Sequence, residues 1–338
     1  MTETHAKGLS RRKALALGSS ALSLGLAGCA TDTRGASHDG PIAVASFFTF
    51  YDFARQVAEG TPILIKNLIP TGLHGHGWEP DPSIQVDIIT ADAFIHVGPG
   101  FQPWADRAIK TARDDRAETE FVDVRAGIDL LDLADSVGEE EEIGRGKDPH
   151  FWLDPERAKE SVDNIRDGLE RIAPDEAAVL AENAEAVKAE LDVLDDEWRS
   201  LVDAAERDVT FLAAHNAFEY VGDRYGVTLQ PLVTNLAANN DVRPTDMQRA
   251  QDTIADNDIR HIGAAVFEPR RPAEQLLAET SVEGYYPVTP YAGITERWAD
   301  QGWGYFDIAR QINMQTFGRL LDAQEPSAAF ETEWRNFE

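Results

Sequence analysis

Four histidines stand where imidazole chemistry is useful. His74 and His76 lie in the segment Pro70-Thr71-Gly72-Leu73-His74-Gly75-His76-Gly77-Trp78-Glu79-Pro80-Asp81-Pro82, His150 in Asp148-Pro149-His150-Phe151-Trp152-Leu153-Asp154-Pro155, and His215 directly after the apolar run Val209 to Ala214. A histidine framed by two Asp-Pro pairs and two aromatics is held stiffly, because each proline fixes its own φ and restricts the residue before it. A metal ligand gains from that stiffness, since a mobile imidazole loses entropy at every capture. Alone, His150 reads equally well as a satisfied loop histidine; the positions of the others favour a site. The intervals from His76 to His150 and from His150 to His215, 74 and 65 residues, exclude a zinc finger, whose ligands cluster. They fit a site assembled between distant segments. His5 and His38 fall in an N-terminal signal and a tether. His96 and His261 fall inside strand patterns, where a hydrogen-bonded core imidazole is expected.

The elements that carry these residues alternate. Strand patterns at 42–46, 62–69, 93–97 and 120–124 are separated by helical patterns ending near 58, at 83–91 and at 101–112. After a helix at 155–173, a long helical pattern runs from Pro174 to Glu206 with apolar Leu180, Val187, Leu191, Leu194, Trp198, Leu201 and Val202 at helical spacing. About 30 residues at 1.5 Å rise span about 45–50 Å, which suits a strut joining two lobes; a coiled-coil arm fits less well, because the stripe is not a sustained heptad. Alternation then restarts: strands at 209–214, 227–233, 259–267 and 285–289, helices at 216–225, 245–256, 272–280 and 305–322. The expected fold class is α/β: two lobes with mostly parallel sheets flanked by helices, joined by one long helix. The boundaries are 1–29 signal, 30–40 tether, 41–173 N-terminal lobe, 174–206 linking helix, 207–325 C-terminal lobe and 326–338 tail. In open parallel sheets ligands bind beyond the carboxyl ends of the strands, which is where His76 and His215 are expected.

Composition narrows the partners. With 60 acidic against 31 basic residues among 338, the net charge is −29, and only seven of the basic residues are lysine. Nucleic-acid phosphates would be repelled. The balance suits a protein kept soluble in concentrated salt, pointing to a halophilic source, although an ordinary acidic secreted protein also fits. The run Glu139-Glu140-Glu141-Glu142 reads first as a solvated loop and otherwise as a weak cation collector. Ser10-Arg11-Arg12-Lys13 before the apolar run Ala14 to Ala27 resembles a twin-arginine (Tat) export signal, and Leu26-Ala27-Gly28-Cys29 resembles a lipobox. Cys29, the one cysteine, would be the lipidated first residue of the mature chain, and no thiolate remains for a metal site; an uncleaved signal anchor is the alternative.

At these residues the chain resembles the metal-binding lipoproteins of ABC importers, the cluster A-I (ZnuA/TroA-like) zinc/manganese substrate-binding family, as a haloarchaeal zinc-type member. His76-Gly77-Trp78-Glu79-Pro80-Asp81-Pro82 is similar to that family's His-x-aromatic-Glu-Pro-x-Pro segment, and Asp148 to Pro155 to its Asp-Pro-His-x-Trp-Leu-Asp-Pro box. Ala214-His215-Asn216-Ala217-Phe218 and Phe267-Glu268 resemble later segments, so the likeness covers roughly 41–322 in order. It implies metal ligands at His76, His150 and His215. The family's frequent fourth ligand, an aspartate on a late loop, falls here on Thr289, a poor ligand. Water or His74 is the preferred fourth donor, with Glu296 or an acidic-loop carboxylate as alternatives.

Three neutral imidazoles suit Zn²⁺, while Mn²⁺ prefers more oxygen. The resemblance implies an extracytoplasmic monomer, held to the outer face of the cell membrane by lipid, that passes Zn²⁺ to an ABC permease and its ATPase. The strut would restrict lobe closure, leaving small tilts or loop movements for release. Manganese-binding or adhesion-type members of the family are alternatives. A three-His zinc hydrolase, with Glu79 or Glu268 as base, lacks any supporting motif, so the chain is read as a non-enzyme.

Overall fold

A computed structural model describes residues 38–73, 78, 80–133, 146–234 and 242–337. The signal with Cys29, the imidazoles His74 and His76, Glu79, and the run Glu139 to Glu142 lie outside the described residues. Among the described residues, no helix is long and apolar enough to cross a membrane.

Two four-stranded parallel sheets have the same order. In the N-terminal lobe β1 (Ile42–Ala45), β2 (Leu64–Asn67), β3 (Ala93–His96) and β4 (Glu120–Asp123) line up as β2-β1-β3-β4. In the C-terminal lobe β5 (Val209–His215), β6 (Thr228–Val233), β7 (His261–Ala265) and β8 (Gly284–Val288) line up as β6-β5-β7-β8. The central strands are short, mainly apolar runs, as expected when helices cover both sides; β3 and all but the first residues of β5 and β7 are buried. In the first sheet the crossovers are made by α1 (Phe48–Val57), α2 (Ser83–Thr90) and α3 (Pro103–Asp114). In the second they are α6 (Glu219–Tyr225), α7 (Pro244–Asp256) and α8 (Arg271–Glu279), following α4 (Pro155–Ile172) and α5 (Ala177–Asp203).

The long α5 is the strut expected at 174–206, shortened at its start because Pro174–Glu176 forms a 3₁₀ turn. Its 27 residues span about 40 Å at 1.5 Å per residue. Leu180, Ala184, Val187, Leu191, Leu194, Trp198 and Leu201 make its buried stripe, and Val202 is only half-buried. That stripe packs on α1 and α4 from one lobe and on α6 from the other.

The lobes also meet directly. One continuous apolar core contains Phe47, Phe50, Phe53, Phe151 and Trp152 together with Tyr220, Tyr291, Tyr305 and Trp298. After β8 come α9 (Glu296–Asp300) and α10 (Tyr305–Ile308), then a π-helical segment Ala309–Asn313 that leads into α11 (Met314–Leu320). Buried Asp52 on α1 accepts a hydrogen bond at 2.9 Å from the Tyr305 amide at the start of α10. A Cβ at Gly304 would lie 2.5 Å from that carboxylate, so only glycine admits the approach.

A second cross-link gathers three elements. Arg224 on α6 holds Asp195 of the strut through two bonds of 2.6 and 2.8 Å and Asp154 of the N-terminal lobe at 3.2 Å. Burial alone would raise the Asp195 carboxyl, but Arg224 and Tyr225 hold it at about 2. The C-terminal residues carry α12 (Ala328–Trp334), with Phe330 and Phe337 buried.

Candidate metal centre

His150 is placed by its own sequence. Asp148 Oδ1 accepts the His150 amide at 2.9 Å and faces His150 Nδ1 at 2.8 Å, so one carboxylate fixes both the backbone turn and the ring. Phe151–Leu153 then form a 3₁₀ turn, and Asp154 caps α4 by accepting the Glu156 amide at 2.9 Å, with Pro155 in the first turn. Such a cap is worth about 1 kcal/mol. Phe151 stacks on Phe50 at 5.8 Å and Trp152 packs on Phe47 at 4.8 Å, which locks the box into the core.

His215 ends β5, where β5 lies between β6 and β7 and the strand order reverses. That is the switch point at which open parallel sheets bind ligands. Glu268, three residues past β7, reaches across it: Oε1 lies 2.6 Å from His215 Nδ1, and Oε2 accepts the His215 amide at 3.2 Å. Both histidines are buried, each 1% exposed, and their ring centroids lie 5.5 Å apart at a 48° tilt. Two imidazoles bound to one tetrahedral zinc through Zn–N bonds of about 2.0–2.1 Å would have centroids roughly 5.2 Å apart. The pair, contributed by opposite lobes, is spaced for a shared ion.

Each Nδ1 faces a carboxylate, the kind of contact that fixes ring orientation and tautomer in metal-binding histidines. Burial, with the charge of His215 adding to it, holds the His150 pKa well below its ordinary value, so its ring stays neutral. Burial pushes the Asp148 carboxyl up to about 7, opposed by the His150 amide bond and His215.

The other candidates are placed differently. Thr289 follows β8 fully buried, and its hydroxyl accepts the Tyr291 amide at 3.1 Å. Glu296 is exposed at the start of α9, with no contact joining it to either imidazole among the described residues. Although His76 and His74 lie outside the described residues, both ends of their segment are anchored. The Gly72 amide donates to the Ile294 carbonyl at 2.8 Å in the C-terminal lobe, and Trp78 meets Trp104 edge-on at 5.5 Å in the N-terminal lobe. Among the described residues no group of three or more His, Cys, Asp or Glu side chains is arranged to hold a metal ion; the two imidazoles of His150 and His215 are the sequence-predicted ligands that lie side by side there. His96 Nδ1 accepts the Gly98 amide at 3.2 Å, in keeping with a core histidine. Two contributors escaped sequence reasoning as positioning groups, Asp148 and Glu268. Asp148 carried a signal, an acid two residues before a histidine; Glu268 carried none in spacing, because its partner is 53 residues away.

Comparison with known proteins agrees with this architecture. The high-affinity zinc uptake system protein ZnuA of Bacillus subtilis (strain 168) is 26% identical over 278 residues, covering 79% of this chain and 84% of that protein. The manganese-binding lipoprotein MntA of Halalkalibacterium halodurans is 30% identical over 237 residues, 69% of this chain and 74% of that one. The crystal structure of the metal-dependent lipoprotein YcdH from Bacillus subtilis superimposes with a TM-score of 0.69 at 25% identity, covering 83% of this chain and 99% of that one. The chain spans 56% of the zinc-binding lipoprotein AdcA of Streptococcus pneumoniae. Residues 43–318 match the family described as zinc-uptake complex component A, periplasmic (ZnuA), and the chain belongs to that family of cluster A-I zinc/manganese substrate-binding proteins.

Proposed function

We propose that this protein is the extracytoplasmic receptor of an ABC importer, capturing Zn²⁺ between its lobes and delivering it to a membrane permease. The observation that carries the reading is the pair of buried imidazoles from opposite lobes, 5.5 Å apart and each held at Nδ1 by a carboxylate. His150 and His215 supply two ligands and His76 the third, with water or His74 completing the tetrahedron. Zinc is favoured because the donors are imidazole nitrogens and the carboxylates point at Nδ1 rather than at the ion. The relative named as manganese-binding supports Mn²⁺ as the second reading. Lipidation at Cys29 after Tat export would hold the folded part outside the membrane, and the charge of −29 suits a salt-rich exterior.

The test is metal content of the form beginning at Ala30, purified in high salt and exposed to equal Zn²⁺ and Mn²⁺, beside His150→Ala. One zinc per chain, lost in the variant, is the expected result. Manganese retained over zinc supports the second reading, and no metal in either form refutes both.

A further inference from the structure

Along the outer edge of β8 the backbone groups are taken up by side chains and by the C-terminal segment rather than by another strand. Asn336 donates its amide to the Tyr285 carbonyl at 2.8 Å and accepts the Tyr285 amide on its side-chain oxygen at 3.0 Å. Thr316 donates to the Pro287 carbonyl at 2.7 Å, and proline leaves no amide over at that position. Asn313 completes the row: its Oδ1 accepts the Thr289 amide at 3.0 Å and its Nδ2 donates to the Thr289 carbonyl at 2.8 Å. Asn313 and Thr316 are both fully buried, and Asn313 is the last residue of the π segment. A π turn changes which side chains face a neighbouring strand, and such turns recur at functional sites.

Beyond Thr289 the chain reaches the other lobe. Tyr291 has a φ of +57°, which a bulky residue keeps only when its surroundings hold it there. Its amide is bound to the Thr289 hydroxyl, and its carbonyl accepts from Thr49 on α1 at 2.9 Å. The Pro290 carbonyl accepts the Trp152 indole at 2.7 Å, and the Trp152 ring meets the His150 ring at 5.4 Å. An unbroken series of contacts thus runs from Asn313 through the turn to His150, while β8, β7 and β5 carry the same frame to His215.

We propose that the strained turn Thr289–Tyr291 is a positioning device for the metal centre, fixed by Asn313, a proposal that rests on the reading of the centre given above. With both backbone groups of Thr289 held, the turn presents two carbonyls to the N-terminal lobe at one separation. That separation sets how closely the His150 box approaches His215. Metal sites lose affinity when their ligands are misplaced by about 0.5 Å. Relaxation of Tyr291 to an ordinary φ would withdraw both carbonyls and release the lobe spacing.

The test compares Thr49→Val and Asn313→Ala, singly and combined, with the conservative Thr49→Ser and a control, Asn183→Ala. Asn183 makes a similar pair of bonds, 3.0 and 2.8 Å to the Val57 and Glu59 carbonyls, at the opposite end of α1 from Thr49. Zinc affinity is read by chelator competition, coordination by the absorption spectrum of the Co²⁺ form, and stability by urea. Each single variant should weaken zinc about tenfold and alter the cobalt spectrum. The double variant should be little worse, because both act through one turn. Thr49→Ser should restore binding, and the control should lose stability without moving affinity or spectrum. Unchanged affinity and spectrum in both single variants of a zinc-binding parent overturn this inference alone, as do fully multiplicative losses. A parent that binds no zinc overturns it together with the reading beneath it.

Discussion

Replacing Glu268 with glutamine isolates the carboxylate that aims His215. Glu268 faces two donors of one residue, Nδ1 at 2.6 Å and the amide at 3.2 Å, and its side chain is 12% exposed. Glutamine keeps the shape but turns one oxygen into an amino group, so one His215 donor then faces another donor. The ring loses its orientation, and the negative charge that would offset a bound cation disappears as well. Outer carboxylates of this kind are worth about 10–100-fold in metal affinity, or about 1.4–2.7 kcal/mol. Loss of both geometry and charge puts Glu268→Gln in the upper part of that range. Chelator competition at pH 7.5 measures it, with Glu296→Gln as a control expected to bind as the parent does, since Glu296 is exposed. A folded Glu268→Gln protein whose zinc affinity lies within twofold of the parent would refute the orienting role and, with it, His215 as a metal ligand.

Arg224→Leu should destabilise the fold by about 1–3 kcal/mol in urea, because it removes the cation shared by Asp154 and Asp195 and leaves each with a single arginine, Arg157 and Arg199; a loss under about 0.5 kcal/mol would mean that the node contributes nothing to stability. Leu191→Ala, which truncates a fully buried strut residue, should cost about 3 kcal/mol and leave a single unfolding transition, since both lobes share its core; two resolved transitions would contradict a shared core. Asp195 sits at about 2, below its unfolded value, so its contribution is present at neutral pH and lost as pH falls from about 4 toward 2, by about 1–2 kcal/mol after solvent screening. Asp148 and His150 oppose each other. The raised carboxyl makes the fold lose stability as pH rises from about 4 through 7, and the lowered imidazole makes it lose stability as pH falls below about 6.5. The two contributions therefore offset each other just below pH 6.5 in metal-free protein, and urea midpoints that climb steadily as pH falls there would show that His150 protonates within the fold. Burial of His150 also lowers its own affinity for a proton, so zinc bound at pH 7.5 should be retained somewhat below the pH of about 6–6.5 at which free imidazoles would release it and weaken as the pH falls further; retention at 4.5 equal to that at 7.5 would exclude an imidazole site.

Periodicity made most of the architecture legible, because buried parallel strands and an amphipathic strut write their burial into local pattern. The stripe from Leu180 to Leu201 is buried as its spacing requires. The box around His150 was legible for a different reason: its prolines, caps and aromatics are all local. What stayed hidden depends on contacts between distant residues. The π segment at Ala309–Asn313 interrupts the helix expected at 305–322, and its last residue, Asn313, meets Thr289 just past β8, a contact between distant residues. Glu268 was visible as a weak motif and a conceivable base, yet only the fold turns it toward His215 Nδ1. Thr289, on which the resemblance placed the family's late-loop aspartate, turns its hydroxyl to the Tyr291 amide.

The interlobe contacts decide what kind of motion can free an ion. Parting the lobes as rigid bodies would expose Phe53, Trp152, Tyr291 and Tyr305 and break the bonds at Asp52 and Arg224. At about 2–3 kcal/mol for each large aromatic, four such side chains alone represent on the order of 8–12 kcal/mol, as much as a whole domain's stability. On the three-histidine reading, release without parting the lobes requires the contribution of residues 70–82 to the site to change while His150 and His215 stay in place. Amide exchange distinguishes the two motions. Protection across α1 and α10 should stay near the global limit with or without zinc, while residues 70–82 gain protection when zinc is added. Zinc-dependent protection spread over α1, α10 and the start of α6 would instead mean that the lobes separate, and that the aromatic core between them is weaker than its burial implies.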